Sequence, residues 1–284
     1  TGGFPDFSIL PPTRVDDSGA SWAKIASGTM HSCGIQSDGS AWCWGSDAYG
    51  QMATGSTGGA ELSPNRISDG GGKVWIDIDV GESHSCGIQS DGSAWCWGDD
   101  SYEQLGNGAV TGDQTLPVQV SPGSSWLSLS LSPAGREMSE YSHSCGIKDN
   151  GTAWCWGDNN HGQLGNGITG GTEDEPFEVA GSATWTKISA GGNYTCGIKT
   201  NGTAWCWGND EAFTLGNGAV TGVQNVPYQV DDGGATNWTD IYTSLGHACG
   251  RKADGSTWCW GMNMSAQYGD GTTSSSESPT EAAE

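Results

Sequence analysis

Apolar and polar residues along this chain alternate with a period of two. In Cys33-Gly34-Ile35-Gln36 and again in Ser40-Ala41-Trp42-Cys43 the pattern is that of a half-buried strand, and between them it breaks at Ser37-Asp38-Gly39. This predicts two short strands around a three-residue loop with Gly39 in its left-handed position. With Gln36 and Ser40 closing the loop, Ile35 faces Ala41, Gly34 faces Trp42 and Cys33 faces Cys43. Counted outward from the closing pair, the cysteines fall at a non-hydrogen-bonded site, where Cα atoms approach to about 4.5 Å. That is within disulfide reach.

The hairpin recurs. Residues 31–45 and 84–98 are identical, and near-copies start at 143, 194 and 247. The Trp-Cys-Trp-Gly runs beginning at Trp42, Trp95, Trp154, Trp205 and Trp258 lie 53, 59, 51 and 53 residues apart. The chain therefore reads as five tandem units, 22–74, 75–125, 126–184, 185–237 and 238–284, in one domain. Each opens on a tryptophan (Trp22, Trp75, Trp126, Trp185, Trp238), so three per unit account for all fifteen. The opening Trp-x-x-Ile stretch, the hairpin, a Gly-rich turn such as Gln104-Leu105-Gly106-Asn107-Gly108 and a Pro-led strand such as Pro117–Val120 supply about four strands per unit. The expected fold is all-β: a β-propeller of four-stranded antiparallel blades, as a five-bladed ring. Residues 1–21 read as an N-terminal arm and closing strand. Pro12–Asp16 matches the fourth strand of a unit and is expected to complete the last blade; Ser278–Glu281 is the weaker candidate because it lacks an apolar residue like Val15.

The ten-residue cysteine step recurs from Cys86 to Cys96, from Cys145 to Cys155, from Cys196 to Cys206 and from Cys249 to Cys259, so five within-unit disulfides are expected. Zinc is the weaker reading, since zinc sites usually pair cysteines two to four residues apart and each unit here has only two. Persistent disulfides imply export, to the cell surface or the extracellular space. Composition fits a stapled core. Leu, Ile, Val and Phe make only about 13% of the chain, which together with a net charge of −23 would by itself suggest disorder. Aromatic burial and covalent cross-links replace the missing aliphatic volume. Ten basic residues against 33 acidic ones disfavour nucleic acid and anionic membranes. No apolar run has the length of a membrane helix, and no signal peptide is seen. The chain starts on Thr1, which suggests a processed or trimmed product.

At this level the units resemble repeats of the regulator of chromosome condensation family, in its secreted, bacterial-type form. Unit three carries the pattern most fully: His143-Ser-Cys-Gly-Ile147, Asn150-Gly151, Trp156-Gly157 and Gly162-Gln163-Leu164-Gly165. The resemblance implies a propeller, typically of seven blades, where this chain has five units. The chromatin and small-GTPase partners of the nuclear founding member suit neither the acidity nor the cysteines.

Several residue sets invite chemistry. His31, His84, His143 and His247 share one position, with Tyr194 as the fifth. A structural position satisfied by a backbone hydrogen bond explains them better than a metal ring, because it tolerates tyrosine. Asp38, Asp91 and Asp254, with Asn150 and Asn201, precede turn glycines, where such residues belong. Weak calcium binding could arise at Asp77-Ile-Asp79 or Thr172–Glu175, but neither has EF-hand spacing. No other cofactor, metal or catalytic residue is expected, and no nucleophile elbow, phosphate loop or His-Glu-x-x-His occurs.

Recognition is expected where the copies differ. Unit three inserts Pro133–Tyr141, bringing Arg136, Glu137, Met138 and Tyr141, and unit four replaces the Gly-Gln turn with Glu211-Ala212-Phe213. The functional expectation is a non-enzymatic, exported binding or structural module taking a protein or glycan partner, or assembling with itself, without nucleic acid or membrane insertion. The alternatives are a proteinaceous enzyme inhibitor and a carbohydrate-binding or carbohydrate-active propeller.

Overall fold

A computed structural model describes residues 21–109, 112–134 and 142–283, together with Val15 and Gly19. Among these residues twenty strands form five four-stranded antiparallel sheets, each a meander in chain order. Blade one holds β1 (Trp22–Ser27), β2 (His31–Gln36), β3 (Ala41–Ser46) and β4 (Ala60–Arg66); blade two holds β5 (Trp75–Val80), β6 (His84–Gln89), β7 (Ala94–Gly98) and β8 (Gln114–Gln119). Blade three holds β9 (Trp126–Leu131), β10 (His143–Lys148), β11 (Ala153–Asp158) and β12 (Thr172–Glu178); blade four holds β13 (Trp185–Ala190), β14 (Tyr194–Lys199), β15 (Ala204–Gly208) and β16 (Gln224–Gln229). Blade five holds β17 (Trp238–Thr243), β18 (His247–Lys252), β19 (Thr257–Gly261) and β20 (Ser276–Glu281).

The middle hairpin has the register read from the sequence. Ile35 pairs with Ala41, Gly34 with Trp42 and Cys33 with Cys43, Gln36 N–H bonds to Ser40 O, and Gly39 has φ +81°. Asp38 accepts the N–H and hydroxyl of Ser40, whose oxygen takes the indole N–H of Trp42. All ten cysteines form the within-hairpin disulfides expected of them. Cys33 joins Cys43, Cys86 joins Cys96, Cys145 joins Cys155, Cys196 joins Cys206 and Cys249 joins Cys259, with Cα–Cα distances of 4.0–4.1 Å.

Two expectations about the fourth strand are corrected. The proline sits inside the strand, as Pro117 in β8 and Pro176 in β12, and on this outermost edge it withholds a donor that would invite another chain. The last blade takes its fourth strand from β20, not from Pro12–Asp16, most of which lies outside the described residues. Cys259 pairs with Thr280 and Gly261 with Ser276. An apolar residue such as Val15 is not required there, because an edge strand exposes much of its surface.

Each blade has two unlike faces, and packing joins one kind to the other. The disulfide of blade one, with Ile35, Ala41, Met52 and Ile67, packs against Trp75, Ile78 and Trp97 of blade two. The same association of a cystine-aliphatic face with a tryptophan face builds the next three junctions, where Cys96, Cys155 and Cys206 are buried with their partners. Within each tryptophan face the two indoles meet edge to face or tilted, at 5.5–5.9 Å. Room for the first indole comes from a hairpin glycine: a Cβ on Gly146 would lie 2.8 Å from the Trp126 ring. The second enters the Gly-rich turn of the preceding blade, so that a Cβ on Gly106 would lie 2.6 Å from Trp156.

Among the described residues these contacts are missing between blade five and blade one. Ile25 is 48% exposed, whereas its counterpart Ile78 is fully buried. On blade five, Arg251 and Thr257 stand where the others carry Ile and Ala, both exposed, and nothing lies within 4 Å of a Cβ built on Gly269. Cys249 is half-buried while the other nine cysteines are buried. The five expected blades are present, but the fifth presents a polar outer face of the kind that ends a repeat array.

Two outcomes are expected from this packing. Gly146→Ala should lower stability by about 1–3 kcal/mol in chemical denaturation through overpacking against Trp126, while Gly58→Ala, with open space around it, should be near neutral. Under limited reductant, alkylation followed by peptide mapping should find Cys249 and Cys259 modified first, because access governs exchange; simultaneous loss of all five bridges would contradict the packing.

Candidate functional site

In a four-stranded meander the first and third connections leave at one end of the sheet and the second at the other. The Asp-Gly hairpin tips, all nearly alike, therefore occupy one face of the propeller. The opposite face gathers the connections between first and second strands and between third and fourth. Both segments at which the copies diverge belong to it: the β9–β10 connection and the β15–β16 loop with Glu211 and Phe213.

Arg136, Glu137, Met138 and Tyr141 lie outside the described residues. The root of their loop is described, and Ser132 directs its hydroxyl to Gly192 O in the first connection of blade four. Beside Gly192 a pocket of about 180 Å³ opens between blades four and five, lined by Asn193, Glu211, Thr214, Leu245 and Met262 among others. Its origin is local. Gln51, Gln104, Gln163 and Gln267 each fold back so that their side-chain oxygen accepts a backbone N–H two residues upstream, at 2.8 Å. Blade four has Thr214 at this position, bonded to Asn209 O, and the shorter side chain leaves the space open. The amide oxygen of Asn193 is buried at the pocket without a partner.

Glu211 is exposed and lines the pocket. Phe213 is half-buried in the same loop and is not among the lining residues, but its φ of +63° is a strained value for a bulky residue, at the position where units one and three carry Gly50 and Gly162. Leu245 and Met262 are 37% and 36% exposed, and neighbouring Met264 is 76% exposed. Leu245 and Met262 were not legible as a site from the sequence, because they sit in unit five and meet unit four only across the blade junction.

The histidines do not form an axial ring. Each of three reaches a hydroxyl of the next blade: His31 Nε2 to Ser85 at 2.7 Å, His84 to Ser144 at 2.9 Å and His143 to Thr195 at 2.8 Å. These hydroxyls donate onward to the carbonyls of Gln51, Gln104 and Gln163, so they accept from Nε2–H and fix that tautomer. The partner is thus a side chain of the next blade, where a backbone group was expected. Tyr194 keeps the junction by donating to His247 O at 2.5 Å. Burial holds His31 at a pKa of about 4 and His84 and His143 at about 3.

The axis itself is a cavity of about 620 Å³ lined by the first strands of all five blades. Among its lining charges, Lys24 pairs with Asp77 and Lys187 with Asp240 (3.3 Å), and Asp240 also takes Arg251 (2.6 Å) from outside the lining. Asp79 keeps some surface open to the cavity, yet enclosure by protein raises its pKa to about 6 while its carboxylate accepts Leu131 N–H. Asp77 and Asp79 are thus occupied by protein partners. Among the described residues no cluster of three or more His, Cys, Asp or Glu could hold a metal ion.

Family models described as the regulator of chromosome condensation (RCC1) repeat match residues 38–88, 91–130 and 150–198, and 22–51, 75–104 and 185–212. The human E3 ubiquitin-protein ligase HERC2 is 27% identical over 259 residues, covering 90% of this chain and 5% of that protein. The mitochondrial RCC1 domain-containing protein RUG3 of Arabidopsis thaliana is 28% identical over 241 residues, covering 78% and 50%. The chain spans half or less of the length of these relatives. Among solved structures, human WBSCR16 superposes with a TM-score of 0.80 at 18% identity, covering 93% of this chain and 67% of that one. Yeast RCC1 (Prp20), bound to Kap60, gives 0.57 at 16% identity, covering 93% and 75%. At these identities the structural likeness concerns the fold.

The buried titratable groups set a pH dependence. The three histidines have pKa values below the ordinary 6.5, so the unfolded chain gains their protons first and stability falls as pH drops below about 6.5. Burial raises Asp79 and Asp158 to about 6 and Asp100 to about 7, so the folded chain gains those protons first and stability rises on acidification toward pH 4. The two sets oppose each other. Chemical denaturation should show a shallow profile between about pH 4.5 and 7 and a steep fall below about pH 4, where the histidine deficit continues and the carboxylates held low by hydrogen bonds, Asp38, Asp91, Asp240, Asp254 and Asp270, add to it; a steep loss already at pH 6 would contradict this balance.

Proposed function

The chain belongs to the regulator of chromosome condensation (RCC1) repeat family, and from that premise we propose that it is a non-enzymatic, exported binding module for a protein partner. Five buried or half-buried disulfides support a place outside the cell or at its surface, since a reducing compartment would not preserve them. The observation that carries the binding assignment is the pocket between blades four and five. It exists because one residue, Thr214, departs from the glutamine of the other four blades, and it opens on the same face as both divergent loops. Leu245 and Met262 give it an apolar wall, and methionine adapts to irregular partners. Glu211 at its rim, on so acidic a chain, favours a partner whose basic group flanks an inserted apolar side chain. Protein binding is also the theme of a fold neighbour, yeast Prp20p, which has binding properties to Gsp1p and histones. The axial cavity is the poorer candidate because its charges already answer one another.

A photo-crosslinking residue in place of Ala212 should yield covalent protein adducts from the extracellular milieu, whereas one in place of Ser37, on the opposite face, should not. Excess unlabelled protein should suppress the adducts and the Thr214→Gln variant, which restores the residue of the other blades, should not. Equal labelling at both positions, or equal competition by the variant, would overturn the assignment; free thiols throughout the natural protein would overturn export.

A further inference from the structure

Blade one ends the array on an apolar face that nothing described covers. Trp22 and Trp44 meet at 5.5 Å as their counterparts do in every blade. In blades two to five the second indole donates to a carbonyl of the preceding blade, as Trp97 does to Gln51 O at 2.9 Å. Among the described residues no blade precedes Trp44 to supply one. It is half-buried where Trp97, Trp156, Trp207 and Trp260 are wholly buried, and Ile25 beside it is 48% exposed. Among the described residues Ser32, the counterpart of the hydroxyls that receive the histidines, has no histidine to receive.

The four internal junctions define what such a face accepts: aliphatic side chains without charge. Blade five cannot supply them. Its corresponding surface carries Arg251, Thr257 and the half-buried Cys249, so neither ring closure nor head-to-tail association of two copies reproduces the internal junction. The chain does hold a segment of the required character. Residues 1–14 lie outside the described residues, and in sequence they place Phe4, Phe7, Ile9 and Leu10 within seven positions of a chain otherwise poor in large aliphatic and phenyl side chains. Pro5, Pro11 and Pro12 disfavour a helix there. Seven residues, 15–21, join the segment to β1, whose first residue is Trp22 itself. With ten residues between Leu10 and Ser21, 11 Cα–Cα steps, reach is on the order of 35 Å, against a blade about 15 to 20 Å wide across four strands. Attachment to the same chain gives an effective concentration of roughly millimolar, which a second copy does not match at ordinary dilution.

We propose that the N-terminal segment docks within its own chain, through Phe4, Phe7, Ile9 and Leu10, on the Trp22–Ile25–Trp44 face of blade one and caps the open end of the array. The apolar cap at one end and the polar outer face of blade five at the other keep the five blades a closed unit in solution without a fifth junction.

The test uses the full chain with a photo-crosslinking residue in place of Phe7. The expected result is a monomeric product whose crosslinked peptide contains Trp22–Ile25 or Trp42–Trp44. Crosslinks to any other blade, between copies only, or none at all would overturn the proposal. In parallel, replacing all four apolar residues by serine should raise acrylamide quenching of tryptophan emission and shift that emission to the red, while leaving the five disulfides paired. Unchanged emission and quenching would count against the cap even if the chain remained monomeric.

Discussion

Everything in this molecule depends on one mismatch being repaired four times. A blade is a sheet with a tryptophan face and a cystine-aliphatic face, and neither is stable in water. An indole seated in the glycine turn of the preceding blade joins the two. Without a Cβ at Gly106, Gly165 or Gly216 the ring lies directly against backbone, and its N–H meets a carbonyl there. The contact is apolar in bulk and polar at a single point, which fixes where the next blade must sit as well as that it must sit there.

The hydrogen bonds around that contact supply order rather than bulk. A histidine on one blade donates to a hydroxyl on the next, and the hydroxyl donates to the carbonyl that also receives the indole. The Nδ1 atoms of His31, His84 and His143 are buried without a partner, and burial holds each imidazole neutral by lowering its pKa. Where Tyr194 replaces histidine the direction is kept, because a phenol can also donate across the junction. A family of repeats can thus tolerate one exchange of residue type without losing the connection, provided the replacement has a donor at the same reach.

The proposed binding site lies where this repetition is relaxed. Thr214 for glutamine removes a side chain that elsewhere closes its own loop, and the space it leaves becomes a pocket. Phe213 takes a backbone conformation that glycine holds in two other blades, a strain the scaffold sustains because the turn is pinned on both sides by Asp210 and Gly216. The two ends of the array are relaxed differently. Blade five has exchanged Ile and Ala for Arg and Thr and faces solvent, whereas blade one has kept its tryptophans.

Strand pairing, hairpin register and all five disulfides were legible in the sequence, because they are local: a period of two, an Asp-Gly turn and a ten-residue cysteine step fix them within a dozen residues. Glu211 was legible as a departure from the repeat. What could not be read there was set by contacts between blades, whose partners lie about fifty residues apart and are named by no local pattern. The histidines gave no sign that their acceptor was a hydroxyl one unit later, nor Leu245 and Met262 that they would wall a pocket begun by Thr214. The closing strand was misjudged for the same reason: apolar content was weighed at a position that tertiary structure leaves on an exposed edge. The sequence alone determined what a blade is, since its hydrogen bonds close within one unit. Only the tertiary structure decided which faces meet and which stay open, because burial belongs to pairs of blades.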